Sequence, residues 1–226
     1  MREAAIVSTA RTPIGKAYRG AYNDTQAQEL GAHAIKHAIK RAGLNHKEIE
    51  DVIIGNALTQ GSTGKNIARQ CLVRAGLPFS IPGMTIDRQC SSGLMAIATA
   101  AKQVIVDNMN IVVAGGLESI SLVQNNKMNT FRAHDNWIIK NTPSLYMSMI
   151  ETAEIVSRRY NISREEQDKY SYMSQKRTKN AQNKGLFDNE IIPLRSVKKV
   201  LDKDKNELIN QEVLLTEDEG NRPETT

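Results

Sequence analysis

The stretch Met84-Thr85-Ile86-Asp87-Arg88-Gln89-Cys90-Ser91-Ser92-Gly93-Leu94-Met95-Ala96 decides the predicted fold. Its first five residues follow a Pro82-Gly83 breaker and predict a short strand. A helix is predicted from about Ser92 to Asp107, and its apolar residues cover so much of its circumference that we expect burial on most sides. A sharp turn that contains Cys90 therefore joins a strand to a helix.

The position of Cys90 suggests a nucleophile. Ser91 and Ser92 are expected to cap the first helical turn. Unpaired N–H groups and the positive end of the helix dipole point towards this position, which favours the thiolate, the nucleophilic form of cysteine. The alternative, a small buried apolar side chain, is the usual fate of a free cysteine and stays open on position alone. Cys71 lies inside a predicted helix and is interpreted as structural.

Composition restricts the class of protein. With 226 residues, 40% hydrophobic and 24% charged, the chain is an ordinary globular one with one large domain or a domain with a sizeable insertion. The net charge is +5, but only 4% of residues are aromatic and no basic-aromatic platform is present. We therefore expect no nucleic acid partner; a small anionic ligand fits the modest positive charge.

No apolar run is long enough to span a bilayer, so we expect no membrane partner. The first predicted strand, Ala4–Ser8, begins almost at Met1, which predicts no signal peptide. Two cysteines give neither a disulfide framework nor a zinc spacing, which favours a cytoplasmic location. His33 and His37 are four residues apart on a helix without a third ligand, so we predict no metal site and two solvated histidines.

Before the Cys90 helix, the pattern predicts a helix with a Thr25/Gln28 capping box that stops at Gly43, and then a strand at Asp51–Gly55. After it comes Asn110–Gly116, an apolar strand typical of a buried parallel sheet. Strand, helix and strand form a βαβ unit. The Cys90 turn is therefore predicted at the C-terminal end of a parallel strand, where open α/β sheets bind their ligands.

Beyond Glu118 the chain is polar and irregular until about Pro143. Two helices are then predicted, at about 146–160 and from a Ser163/Glu166 capping box to Gly185, and their basic side chains are interpreted as a solvated face. One more strand is plausible at 190–197. The tail after Leu201 has little pattern and is expected to end in mid-fold.

The segment Arg88–Ile97 resembles the nucleophile signature of the thiolases, the family of acetyl-CoA acetyltransferases and 3-ketoacyl-CoA thiolases. Further stretches resemble the family in the same order along the chain: Ala10–Gly15, Gly55–Leu58, Ala68–Gln70, Ala114–Ser121, Thr152–Glu154 and Ile162–Asp168. The sequence is identified on this basis as the N-terminal portion of a thiolase.

The resemblance implies an α/β fold with thiolase-like α/β/α layers. Residues 1–118 would form the N-terminal βαβαβ core half, which bears the nucleophile, and residues 119–226 an inserted loop domain. The C-terminal half and the final strand of the N-terminal half would be absent.

The resemblance also implies that Cys90 takes an acyl group from acyl-CoA and passes it either to a second acetyl-CoA or to free CoA. The backbone N–H of the nucleophile would help to form an oxyanion hole. The substrates would be coenzyme A thioesters, with no cofactor, and the complete enzyme would be a homodimer or homotetramer.

The sequence departs from the family pattern in three places. Members of the family carry a histidine in a Gly-His-Pro motif and a second cysteine in the C-terminal half, and neither is found here. The four histidines lack the Gly-His-Pro context; they are His33, His37, His46 and His134. We therefore expect this chain alone to be inactive. Asp87 replaces an asparagine, and its carboxylate would oppose ionisation of the thiol.

The third departure is at 148–150, where Ser148, Met149 and Ile150 replace a His-Met-Gly string of biosynthetic members. Ser148 and Met149 are predicted to bind substrate, with Met149 lining the acyl pocket, and a longer acyl chain stays open. Two other functions are weighed. One is a decarboxylating or condensing ketoacyl synthase, which the Arg88–Leu94 and Gly115–Ser119 strings disfavour. The other is a non-catalytic thiolase-like module for CoA binding or oligomerisation.

Overall fold

The computed structural model describes residues 2–202 and 204–225. The helices are α1 (Ala27–Arg41), α2 (Ile67–Arg74), α3 (Ser92–Ile105), α4 (Ile120–Val123), α5 (Asn136–Asn141), α6 (Met149–Arg159) and α7 (Arg164–Asn183). The strands are β1 (Asp51–Gly55), β2 (Gly83–Ile86), β3 (Val112–Gly116), β4 (Leu194–Asp202) and β5 (Glu207–Leu215).

The chain divides into two compact units. The first contains Met1–Met128 with Phe187–Gly220, and the second contains Asn129–Leu186 with Asn221–Thr226. The predicted boundary at Glu118 thus differs from the end of the first compact stretch at Met128, and both β4 and β5 lie in the first unit. Whether residues 119–226 form the family's inserted loop domain stays a prediction.

A three-stranded parallel sheet in the order β2-β1-β3 forms the centre of the first unit. All five residues of β1 are buried, as expected of a strand covered on both faces. Val52 and Ile54 pack with α1 and α2 on one face, and Ile53 packs with α3 on the other. This alternation along a strand creates the three α/β/α layers.

The helix and strands around Cys90 form where the sequence predicts them, but α3 is less buried than predicted. Only Ser92, Ala96 and Ala100 are buried, whereas Leu94 is 71% exposed and Ile97 is 39% exposed. One face of α3 packs on the sheet, while Leu94, Ile97 and Ile105 are exposed in the described chain.

The predicted strand Ala4–Ser8 is not formed. The segment has no regular structure, and Ile6 and Val7 are 74% and 77% exposed. A strand requires a neighbouring strand for its hydrogen bonds, and no described strand lies beside this segment.

The capping box predicted for α1 is also wrong. The N-cap residue is Gln26, which makes no side-chain cap. Thr25 instead shares a hydrogen bond with Ser196 Oγ, and Gln28 Nε2 donates to Ser62 O and to Gln70 Oε1. Both side chains serve tertiary contacts that the local pattern does not contain.

The C-terminal tail is better ordered than predicted. β4 and β5 form an antiparallel hairpin that pairs Leu194 with Leu215 and Asp202 with Glu207. Leu194 is buried with Ala21 and Tyr22. Most residues of β5 are exposed, and an exposed strand does not need alternating apolar residues. The sequence of β5 therefore lacks the pattern from which a strand is predicted.

The second unit is helical. Ser148 with Glu151, and Ser163 with Glu166, form complete capping boxes at the starts of α6 and α7, and the second of these was predicted. No residue of α5, α6 or α7 is buried. Within residues 2–202 and 204–225, no helix combines the length and apolar character needed to cross a bilayer.

Candidate active site

Cys90 lies in a tight turn between β2 and α3. Gln89 has a φ of 48°, a conformation that is uncommon for a residue with a side chain. Its N–H donates to Asp87 Oδ1 at 2.7 Å. Asp87 therefore has a local role in the turn. Ser92 Oγ accepts from Arg88 N–H at 2.8 Å and donates to Gln89 O at 2.6 Å, which closes the turn from the helix side.

The two serines do not cap α3 as predicted. Ser91 is the N-cap residue, but its side chain accepts no helical N–H; its hydroxyl donates to Arg88 O at 2.9 Å. The N–H groups of Gly93 and Leu94 have no acceptor among the described residues. The start of α3 thus keeps unpaired donors beside Cys90, where they favour negative charge.

The Cys90 side chain is exposed, and the turn follows the C-terminal end of a parallel strand as predicted. Cys71 is the opposite case. It is fully buried in α2, and burial raises the pKa of its thiol to about 12 although Arg74 acts in the other direction. A Cβ on Gly31 would lie 2.5 Å from Cys71 Sγ, so this thiol fills a close contact between α1 and α2. Its interpretation as structural fits these contacts.

Two glycine positions fix where the Cys90 turn lies on the sheet. A Cβ at Gly55 would meet the Ser92 carbonyl carbon at 2.2 Å, and one at Gly116 would meet Gly93 Cα at 3.0 Å. The first turn of α3 therefore rests on the ends of β1 and β3 with almost no space between the backbones. The sequence marks these glycines in the family strings, but their contact partners come only from the fold.

A buried polar group lies at the same end of the sheet and was missed by the sequence interpretation. Asn56, 1% exposed, donates through Nδ2 to Leu117 O at 3.1 Å and to Glu118 Oε1 at 2.8 Å. Glu118 Oε2 accepts from Ala57 N–H at 2.9 Å. These bonds hold together the chain segments that follow β1 and β3. Both residues are in the quoted family strings, which was the available signal.

The predicted substrate residues lie in the second unit. Ser148 is the N-cap of α6: its Oγ accepts from Glu151 N–H at 3.2 Å and donates to Glu151 Oε2 at 2.9 Å. Met149 is the first residue of α6 and is 72% exposed. Ser148 thus has a structural explanation in its own unit, while the substrate roles of both residues stay predictions.

No described hydrogen bond links Cys90 to a histidine. His33 and His37 contact each other on α1, with ring centroids 4.5 Å apart, and His134 stacks on Tyr146 in the second unit. Burial lowers the pKa of His33 and of His37, and both are half-buried, so the prediction of two solvated histidines is wrong. In the described part of the chain, no group of three or more His, Cys, Asp or Glu residues has a metal-binding arrangement.

A parallel sheet between two layers of helices, with an exposed cysteine where a strand ends, defines an α/β protein with a candidate nucleophile at the ligand-binding end of its sheet. Residues 4–226 match the family described as thiolase, N-terminal domain. The chain is 39% identical over 226 residues to the 3-ketoacyl-CoA thiolase of Bacillus subtilis, covering 100% of this chain and 57% of the relative. It is 40% identical over 204 residues to the acetyl-CoA acetyltransferase of Cupriavidus necator, covering 86% and 51%.

The crystal structure of the Bacillus anthracis acetyl-CoA acetyltransferase has the same fold, with a TM-score of 0.82 and 31% identity over 100% of this chain and 57% of that one. The chain therefore belongs to the thiolase family, and the predicted family and fold are confirmed. It spans little more than half the length of these relatives.

Proposed function

We propose that this chain supplies the nucleophile-bearing part of an acyl-CoA acyltransferase. The observation that carries the proposal is the exposed thiol of Cys90, in a turn whose following helix begins with unpaired N–H groups. Membership of the thiolase family supports the reaction class, because the relatives are named as acyltransferases and thiolases.

In the proposed reaction, the Cys90 thiolate attacks the thioester carbonyl of an acyl-CoA. The carbon–sulfur bond to CoA breaks, CoA leaves as the thiol after taking up a proton, and the acyl group remains on Cys90 as a new thioester. The charge that develops on the carbonyl oxygen is the kind that backbone N–H donors stabilise in acyl transfer.

The second half-reaction releases Cys90 again. Attack by the sulfur of free CoA gives a shortened acyl-CoA, and attack by the deprotonated methyl carbon of acetyl-CoA forms a carbon–carbon bond. Both routes need a base near Cys90. The described residues show no hydrogen bond from a histidine to this thiol, and the relatives extend well beyond the matched region. We therefore propose that the acid/base groups come from polypeptide outside these 226 residues, in a homo-oligomeric complete enzyme.

The test compares the 226-residue chain alone with the same chain mixed with a separately expressed C-terminal portion of a thiolase. With acetoacetyl-CoA and CoA, the chain alone should give no measurable turnover, because groups that act jointly in catalysis are not additive. The mixture should regain activity, and the Cys90→Ala variant should abolish that gain. Turnover by the chain alone within about tenfold of a median enzyme rate would contradict the proposal.

A non-catalytic CoA-binding or oligomerisation module is the second candidate. It is favoured by the exposed apolar side chains of α3, such as Leu94 and Ile97. A mixture that binds acyl-CoA but forms no acyl-enzyme on Cys90, measured by intact mass, would support this module and overturn the acyltransferase.

A further inference from the structure

Two polar side chains join the chain segments that follow β1 and β3. Asn56 is 1% exposed, and its Nδ2 donates to Glu118 Oε1 at 2.8 Å and to Leu117 O at 3.1 Å. The other carboxylate oxygen of Glu118 accepts from Ala57 N–H at 2.9 Å. Asn56 N–H donates to Ile86 O at 3.0 Å, so the end of β2 is joined as well. We call Asn56 and Glu118 the sheet-end pair, because they connect the C-terminal ends of the parallel strands.

The strand ends that the sheet-end pair joins lie directly against the start of α3. A Cβ on Gly55 would lie 2.4 Å from Gly93 N, and a Cβ on Gly116 would lie 3.0 Å from Gly93 Cα. Gly55 is next to Asn56 in the chain, and Gly116 is two residues before the carboxylate that Asn56 holds. Because the backbones touch without intervening side chains, a displacement of either strand end displaces Gly93.

The start of α3 carries the backbone groups that act on Cys90. The N–H groups of Gly93 and Leu94 have no acceptor among the described residues. The effect of a helix end on a nearby charge falls off within the first turn, so it depends on where these donors lie relative to the thiol. The position of Gly93 on the strand ends therefore decides how strongly the Cys90 thiolate is favoured.

A second acid–amide pair lies at the opposite end of β1 and provides a comparison. Asp51 is 6% exposed, and its Oδ2 accepts from Gln103 Nε2 at 2.8 Å. The amide oxygens of Gln103 and Asn56 are both buried without a hydrogen-bond partner in the described chain, so the two pairs have the same chemistry. Gln103 lies near the C-terminal end of α3, so this pair holds the helix away from its first turn.

We propose that the sheet-end pair is a positioning pair for Cys90. It fixes the ends of β1 and β3 against the first turn of α3 and thereby keeps the Gly93 and Leu94 N–H groups directed at the thiol. The role is indirect, since neither side chain of the pair hydrogen-bonds to Cys90 in the described chain. Its catalytic consequence rests on the proposed function, because the same donors would stabilise the charge that develops on the carbonyl oxygen in acyl transfer.

The test is the rate at which iodoacetamide alkylates Cys90 in the 226-residue chain alone, measured by peptide mapping. Glu118→Gln puts an amide nitrogen in place of one carboxylate oxygen, so either Asn56 Nδ2 or Ala57 N–H loses its acceptor. At about pH 7, Cys90 should react about twofold more slowly. The helix end changes the thiolate fraction by about two- to fivefold, and the more basic thiolate of the variant recovers part of the rate.

The dependence on pH separates this effect from a change in access to the thiol. At about pH 10 an ordinary cysteine is ionised with or without nearby donors, so the variant should react as fast as the unaltered chain or faster. A thiol that has merely become less accessible reacts more slowly at both pH values.

Two controls and a second variant make the result specific. Asp51→Asn alters the matched pair and should leave the rate at Cys90 unchanged at every pH. Cys71 reports on folding in the same samples, because it is fully buried and stays unlabelled while the variant is folded. Asn56→Ala removes the pair from its other side and should slow the alkylation of Cys90 in the same way.

Unchanged rates at Cys90 in both sheet-end variants would overturn the proposal. So would equal slowing in Asp51→Asn, or slowing that persists at about pH 10. If Cys71 is labelled in both sheet-end variants as fast as it is in urea, the pair holds the fold and not the turn, and the proposal is wrong. None of these measurements requires turnover, so a failed test of acyl transfer leaves them intact.

Discussion

At the scale of single residues, the two cysteines have the same chemistry and opposite surroundings. Cys71 is fully buried between α1 and α2, while Cys90 is exposed before α3. The difference arises from position: one thiol is inside a helix that packs on the sheet, and the other precedes a helix whose first N–H groups lack acceptors.

The first prediction concerns the order of alkylation. Iodoacetamide at neutral pH should modify Cys90 before Cys71, because burial blocks access to Cys71 and holds its pKa at about 12. Peptide mapping after partial reaction measures the order. Cys90→Ser should leave almost no rapidly labelled site, and faster labelling of Cys71 than of Cys90 in the folded protein would contradict the structure of the turn.

The second prediction concerns Met149, which is exposed in this chain. If it lines the acyl pocket of the complete enzyme, Met149→Ala enlarges that pocket, so kcat/KM should shift towards longer acyl chains. The substitution removes three heavy atoms, Cγ, Sδ and Cε, and a single methylene is already worth about tenfold or more in such a preference. Tyr170→Ala, at a similarly exposed site on α7, is the control. An unchanged chain-length profile for Met149→Ala would count against the assignment.

At the scale of elements, α1 shows how tertiary contacts replace a local rule. Its predicted capping residues bond to Ser196, Ser62 and Gln70 instead of to its own first turn. Its two histidines are drawn partly out of water, and Gly43, with a φ of 69°, ends it as predicted. The helix is therefore positioned by what it packs against.

The third prediction is a loss of stability in mild acid. Burial, and the neighbouring charges of His37 and Lys36, lower the pKa of His33 despite opposing contacts with the Ile192 and Pro193 backbone. The unfolded chain therefore binds this proton at a higher pH than the folded chain does. The free energy of unfolding should fall as the pH drops below about 6.5, the ordinary histidine value.

Urea unfolding between about pH 5.5 and pH 8 measures this dependence. His33→Gln should reduce the slope of the unfolding free energy against pH. A residual slope should remain because the pKa of His37 is lowered as well. His134→Gln, at an exposed position in the second unit, is the matched control. A slope that His33→Gln leaves unaltered would contradict the assignment.

At the scale of the whole molecule, residues far apart in sequence hold the first unit together. Arg11 donates to both carboxylate oxygens of Asp218, at 2.7 and 3.0 Å, and to Glu190 Oε1 at 2.7 Å. Asp218 also accepts from Ile14 N–H at 2.8 Å. Burial opposes ionisation of Asp218, but the bonds from Arg11 and Ile14 outweigh it and lower the pKa of this carboxyl group.

The fourth prediction is that Arg11→Ala destabilises the chain by about 1–3 kcal/mol, since it removes a charged partner from two carboxylates in partly buried surroundings. Denaturant unfolding measures the loss. Arg74→Ala breaks a more exposed pair with Glu29 and should cost less than about 1 kcal/mol. Equal losses in the two variants would contradict a special role for Arg11.

The sequence by itself determined the family, the strand–turn–helix around Cys90 and the presence of a strand at β1. These features depend on local signals: a helix closes its hydrogen bonds within a few residues, and a motif is read from neighbouring side chains. The start of α7 is another example, since Ser163 and Glu166 cap the helix from within four residues.

Only the tertiary structure decided the rest. Residues 4–8 have the composition of a strand and β5 does not, yet β5 pairs along β4 and residues 4–8 pair with nothing in the described chain. The tertiary structure also decided the position of the Cys90 turn on the sheet. Gly55 lies against Ser92, and Gly116 lies against Gly93. The physical reason is that strand hydrogen bonds and backbone packing need a partner distant in sequence, and a local pattern cannot tell whether that partner is there.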